Sequence, residues 1–190
     1  LASQVDSVVF DKTGTLTVAK PSVTDFEIVV TDDMFWSCVL GTSREAASRE
    51  FSGMPTKNTE ACLQWLLGSL ERNSEHLLAL AVVEFAVNNL LEPDAIHEEE
   101  VSLSALGSPD IASVNFAQPS NFVAMTGRGA SGTILGSIDV SVGNRAFCDI
   151  QGFEIAQSIE DGMQRLERQG KTAIVVAVNG TVVSILGVAD

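Results

Sequence analysis

Cysteine is scarce and scattered in this chain: Cys38, Cys62 and Cys148 lie far apart, and no two of them stand in a C-x-x-C spacing. Their odd number and wide separation argue against a disulfide framework or a zinc knuckle and predict buried free thiols in a reducing cytosol. Positive charge is also in short supply. Eleven Lys and Arg face twenty-five Asp and Glu, a net charge of −14, and such a field repels a nucleic-acid backbone or an anionic membrane surface. Phosphate must therefore be bound locally, by backbone N–H groups and a few placed side chains, with modest affinity. Long apolar runs are missing as well. Residues 77–87 and 173–189 come nearest, but Glu84 breaks the first and Asn179-Gly180 the second, short of the ~18 uninterrupted residues of a membrane span. A soluble piece is expected. The chain opens Leu1-Ala2-Ser3-Gln4-Val5-Asp6 without a basic segment or an initiator Met, so no secretory signal is expected, and the piece reads as cut from something longer.

What is present is material for a packed core. Hydrophobic residues make up 45% of the 190 and charged residues 19%, which suits one domain of ordinary size, or one domain plus a fragment. Residues 5–10 read as a short buried strand, and the polar Asp11-Lys12-Thr13-Gly14-Thr15 that follows reads as a loop at its carboxyl end, where open α/β sheets place their chemistry. A connector leads to a second unit whose first strand covers residues 26–30. The boundary falls near residues 18–24, giving units of 1–20 and 21–190.

Residues 59–70 and 77–91 carry apolar positions at helical spacing and predict a helical hairpin joined around Arg72-Asn73-Ser74. Short runs at 101–106, 114–116, 122–126, 133–135 and 138–142, separated by Gly, Pro, Asn and Asp, predict an antiparallel sheet. Residues 153–169 offer Ile155, Ile159, Met163 and Leu166 on one helical face, with Gly170 as C-terminal cap. The β-rich runs 172–178 and 181–188 flank Asn179-Gly180, which suits a type I′ hairpin turn because both central residues need positive φ. Glu98-Glu99-Glu100 reads as a solvated loop, and part of residues 92–120 is expected to be poorly ordered. Trp36 and Trp65 are expected in the core.

Asp11 opens Asp11-Lys12-Thr13-Gly14-Thr15-Leu16-Thr17, directly after the predicted strand, and here the chain resembles the phosphorylation signature of P-type ATPases. A carboxylate can attack a γ-phosphate in line and store it as an acyl phosphate if cations and backbone amides neutralise the oxygens. Lys12, Thr13 and Thr15 are the nearby candidates. Ser74-Glu75-His76-Leu77-Leu78 resembles the family's Ser-Glu-His-Pro-Leu box, typical of its copper-pumping subclass, and departs from it at Leu77. Proline in a first helical turn mainly pre-sets φ, so leucine is tolerable there. The resemblance implies that His76 contacts adenine and that Glu71 accepts a hydrogen bond from the adenine amino group, an arrangement that favours adenine over guanine. Gly127-Arg128-Gly129 resembles the family's Gly-x-Gly element, with Arg128 able to reach a phosphate. Gly143-Asn144 resembles its Gly-Asn element, in which the Asn fixes the ribose or phosphate end of ATP. Turn glycines and a turn-forming Gly-Asn are the ordinary alternatives at these two places.

The resemblance implies an α+β domain: an antiparallel twisted sheet flanked by helical hairpins, the nucleotide-binding (N) domain. It is preceded by one strand and loop of a truncated, Rossmann-like phosphorylation (P) domain. The implied site has Asp11, Lys12 and Thr13 as catalytic residues, and Glu71, Glu75, His76, Gly127, Gly129 and Asn144 at the nucleotide. Its implied cofactors are ATP, with Mg2+ in the full-length pump. The implied partners are the remaining P domain, the actuator domain and the transmembrane metal path, and the implied place is the cytoplasmic side of an integral membrane protein.

The family's Thr-Gly-Asp and Gly-Asp-Gly-x-x-Asn-Asp segments, which bind Mg2+, do not occur in the 190 residues. Binding of ATP without turnover is therefore expected of this chain. Zinc or cadmium pumping remains an alternative to copper. A haloacid-dehalogenase-type phosphatase shares the nucleophilic Asp but carries a second Asp two positions on, where Thr13 stands here, which removes the general acid/base that a prompt hydrolase needs. An interaction domain without nucleotide must treat all four elements as coincidence.

Overall fold

A computed structural model describes residues 20–91 and 114–189. Strand β1 (Ser22–Ile28) is followed by α1 (Asp32–Met34), which widens into a π-helical turn at Phe35–Val39, then by α2 (Arg44–Glu50). The helical hairpin α3 (Thr59–Glu71) and α4 (Leu77–Leu91) comes next. After it run β2 (Ser120–Met125), β3 (Gly129–Ile134), β4 (Ile138–Gly143), α5 (Arg145–Gln151), α6 (Gln157–Arg168), β5 (Thr172–Val178) and β6 (Thr181–Ala189). The strands form one antiparallel sheet in the order β1-β6-β5-β4-β3-β2.

The sheet is covered on both faces, which explains why β5 and β6 are apolar at nearly every position instead of alternating. One face packs under α3 and α4: Leu63, Leu66, Leu67 and Leu70 of α3 and Val82 and Ala86 of α4 join Val140, Val142, Val176 and Leu186 in a single buried cluster. On the other face, Ile159, Met163 and Leu166 of α6 pack against Val175, Ala177 and Ile185. Each such aliphatic side chain removed from water is worth about 1.5–3 kcal/mol. Gly162 lets α6 come close, since a Cβ there would stand 2.8 Å from Ile185.

The β5–β6 hairpin turns at Asn179 and Gly180 with φ of 48° and 80°, the left-handed pair the Asn-Gly sequence predicts. Asn179 does more than turn. Its Oδ1 accepts from the Asp139 N–H at 2.9 Å and its Nδ2 donates to the Val39 carbonyl at 2.9 Å, tying the hairpin to β4 and to the π-helical turn. Trp36 and Trp65 are buried, as expected.

Several expectations are corrected. Residues 114–116 form no strand; they strap across α3, whose side chains satisfy their backbone. Trp65 donates to the Asn115 carbonyl at 3.1 Å, Arg72 to the Phe116 carbonyl at 2.7 Å, and Ser69 accepts from the Ala117 N–H at 3.1 Å. Gly68 makes room for the strap, since a Cβ there would lie 2.3 Å from the Phe116 ring. Strand β3 begins at Gly129 and not at 133, so the glycine pair enters the sheet. Helix α6 starts at Gln157 and not at 153. Of the three cysteines, Cys62 and Cys148 are buried but Cys38 is exposed. Helices α1, α2 and α5 were not expected, although Thr31, Ser43 and Asn144 cap their first turns with side-chain oxygens. The strand at 5–10, the Asp11 loop and the run at 101–106 lie outside the described residues.

Candidate functional site

Helix α3 delivers Glu71 as its last residue, and the chain turns at once, with the Ser74 N–H donating to the Glu71 carbonyl at 2.9 Å. The Glu71 side chain is buried at 7% exposure. Burial alone pushes its carboxyl up to about 7, because taking the charged form out of water costs free energy that no neighbour returns. No described residue hydrogen-bonds to its carboxyl oxygens.

Beyond the turn, Glu75 and His76 are exposed at the entry to α4. His76 organises that entry: its N–H donates to Ser74 Oγ at 3.3 Å and its Nδ1 accepts from the Leu78 N–H at 3.2 Å. With Nδ1 an acceptor, the neutral ring carries its proton on Nε2. Leu77 stands at the first helical position, where no intrahelical N–H bond is lost, and its side chain is 55% exposed.

The glycine elements meet in the sheet. Gly129 pairs with Gly143 across β3 and β4, so two motifs fourteen positions apart meet at one end of this strand pair. A Cβ at Gly129 would stand 2.2 Å from the Val142 carbonyl oxygen, and one at Gly143 would stand 2.5 Å from the Phe147 ring. Both positions therefore require glycine for close approach. Gly127 turns the chain between β2 and β3 at φ +70° with open space where a Cβ would be, and Arg128 is exposed beside it. Asn144 binds the turn from below. Its N–H donates to the Arg128 carbonyl at 2.8 Å and its Nδ2 to the Gly127 carbonyl at 2.9 Å, while its Oδ1 accepts from the Phe147 N–H at 3.1 Å.

The end of α3 reaches this region through Leu70, whose Cδ1 would be 3.0 Å from a Cβ at Gly132 of β3. The end of α3 thus packs against the middle of β3, three residues along the strand from Gly129. Asp11, Lys12 and Thr13 lie outside the described residues. Phe147, which floors the glycine pair, escaped the sequence reading; its only signal is its place three residues after a capping Asn. An open depression beside Arg145, Asp149, Glu154 and Glu160 contains none of the expected site residues. Among the described residues, no three or more His, Cys, Asp or Glu gather to hold a metal ion, and no helix is long and apolar enough to cross a membrane.

No family model matches the chain. Over 187 residues, 98% of the chain, it is 32% identical to a copper-exporting P-type ATPase of Staphylococcus saprophyticus, of whose length it spans 16%. Among solved structures, it resembles a zinc-transporting PIB-type ATPase at TM-score 0.56 and 21% identity, over 95% of this chain and 20% of the other. It also resembles the N-domain of HMA6, a copper-transporting P-type ATPase, at TM-score 0.50 and 15% identity, over 90% of this chain and 99% of that one. At these identities the structures speak for the fold alone, an antiparallel sheet with helices on both faces in the α+β class.

Proposed function

We propose that the chain is a segment of a heavy-metal P-type ATPase, similar over nearly its whole length to copper exporters, and that it is the part that binds ATP and presents the γ-phosphate to Asp11. The pairing of Gly129 with Gly143, locked by Asn144 onto Gly127, carries this reading. It brings two remote short motifs together at one end of the β3–β4 pair, on the sheet that α3 covers. At the turn, Gly127 has open space where a Cβ would be, which lets a ligand approach the backbone closely.

In this reading the base lies between Glu71 and His76, with Glu75 at the rim. The ribose and phosphates run along Gly127 and Gly129, and Asn144 holds that turn in shape. Mg2+ arrives with the phosphates and acts in the full-length pump. The phosphoryl group passes to the Asp11 carboxylate, with Lys12 and Thr13 beside it, and the phosphoenzyme drives copper across the membrane from a cytoplasmic catalytic head. Copper as cargo rests on the named relatives; no residue of the transport path is invoked. The remaining P domain, the actuator domain and the transmembrane part are the partners of this segment.

Titration of ATP into the ¹⁵N-labelled chain without Mg2+, with GTP and AMP as comparators, tests the proposal. Selective shifts at Glu71, His76, Gly127, Gly129 and Asn144, binding near −5 kcal/mol (roughly sub-millimolar) and its loss in His76→Ala are expected. Equal response to GTP, or no shifts, would overturn it.

A further inference from the structure

Phe147 is buried at 1% exposure, yet it belongs to neither of the two apolar clusters that fill the faces of the sheet. Its ring lies against main chain instead. A Cβ at Gly129 would stand 2.9 Å from the ring's Cγ, and one at Gly143 would stand 2.5 Å from its Cδ1, so the ring covers both Cα atoms of the rung that opens β3 and closes β4. Helix α5 backs the ring. Arg145, its first residue, donates from Nε to Glu160 at 2.7 Å and from Nη1 to Glu167 at 2.5 Å, both on α6, and Cys148 is packed in the α6-side cluster. The start of the same helix also reaches the turn: the Asn144 N–H and Nδ2 donate to the Arg128 and Gly127 carbonyls, while Asn144 Oδ1 accepts from the Phe147 N–H. The ring thus sets the spacing across which Asn144 holds the turn.

We propose, on the ATP-binding reading above, that Phe147 is a positioning residue for the phosphate end of the nucleotide: its ring, wedged between α5 and the Gly129–Gly143 rung, fixes the Gly127–Gly129 turn where the phosphates lie. It acts through the turn and touches no ligand. Interiors are close-packed, so taking a flat ring from beneath two Cα atoms leaves space that the strand ends or α5 must move to fill. Such a movement misaligns the Asn144 bonds, and hydrogen bonds weaken steeply as their angles close. The base, in that reading, is held at the α3–α4 junction, on elements other than those the ring joins.

Titration of ATP and of adenosine into Phe147→Leu separates positioning from loss of fold, because leucine keeps the site apolar but has no flat face. ATP affinity should fall by about threefold to tenfold, the worth of roughly one hydrogen bond, while adenosine affinity stays within about twofold. The amide shifts of Gly127 and Gly129 on adding ATP should shrink with it. Cys148→Ala, one residue along and packed in the α6-side cluster, should lower stability and leave both affinities alone. In the unaltered chain, nuclear Overhauser contacts from the Phe147 ring to the Hα atoms of Gly129 and Gly143 are expected, a reading that needs no variant to fold. Absence of those contacts, full ATP affinity in Phe147→Leu, equal losses of ATP and adenosine, or a Cys148→Ala variant that copies the Phe147→Leu pattern would overturn the positioning role and leave the ATP-binding reading intact. Failure of the unaltered chain to bind ATP would overturn that reading, and this one with it.

Discussion

Asn144 Nδ2 donates to the Gly127 carbonyl at 2.9 Å across two strands, while the same side chain caps α5 through its Oδ1. One amide therefore fixes both a helix start and the turn that opens β3. Asn144→Ala removes the cap, worth about 1 kcal/mol, and a hydrogen bond of similar size. A stability loss of about 2 kcal/mol and weaker ATP binding are expected by urea denaturation and titration. Asn144→Asp keeps the cap oxygen and loses only the donor, so it should recover roughly half of the stability while the nucleotide affinity stays reduced.

Gly129 and Gly143 tolerate no side chain. A Cβ at Gly129 meets main-chain atoms, not a movable side-chain end, so Gly129→Ala should cost about 1–3 kcal/mol. Gly127 has open space, and Gly127→Ala should cost about 1 kcal/mol through its left-handed φ alone. Comparing the urea midpoints of the two variants checks the order.

Ser184 is fully buried in β6, and its hydroxyl finds no partner among the described residues. Removing a buried unsatisfied group restores the desolvation cost, so Ser184→Ala should be neutral or stabilising by up to about 1 kcal/mol. A thermal midpoint lowered by several degrees would contradict this.

The raised Glu71 carboxyl makes stability depend on pH in a definite sense. Between its ordinary range and about 7, the folded chain holds a proton that the unfolded chain has released. Its contribution is complete below the unfolded value and is lost as pH rises through about 7. The loss has an upper bound of about 3 kcal/mol. Asp25, lowered by its hydrogen bonds from Lys171 and Thr24, acts in the opposite direction and loses its contribution toward acid pH. Subtracting the profile of Glu71→Gln from that of the unaltered chain isolates the Glu71 part, which should fall and never rise across this window.

The 190 residues contain neither of the family's Mg2+-binding segments. On the proposed function, incubation of this chain alone with ATP and Mg2+ should leave no hydroxylamine-sensitive phosphoprotein on Asp11; its appearance would show that Asp11 is phosphorylated without further partners.

How much of this was legible depended on the range of the interactions involved. Helices α3 and α4 and the β5–β6 hairpin were readable to within a residue or so. Their signals are local: apolar spacing in the helices, and two residues that tolerate positive φ at Asn179 and Gly180. Strand β3 was misread at its start because Gly129 to Gly132 looks like a loop until Gly143 is placed opposite. Residues 114–116 were read as a strand because Val114, Asn115 and Phe116 alternate apolar and polar, while the partners that make them a strap, Trp65, Ser69 and Arg72, lie over forty residues away. The site elements were named from short motifs. That Asn144 holds Gly127, and that Glu71 is sealed from water, depend on packing between distant segments and could not be read from spacing.

Strand β1 starts where β6 ends: Ser22 is the partner of Ala189, and the pairing continues inward to Ile28 and Ser184. Tension applied at these two points would not shear the sheet. It would load the rungs one at a time, parting the Ser22 pair before the next, so the described part should peel open at low force like a fastener drawn from its end.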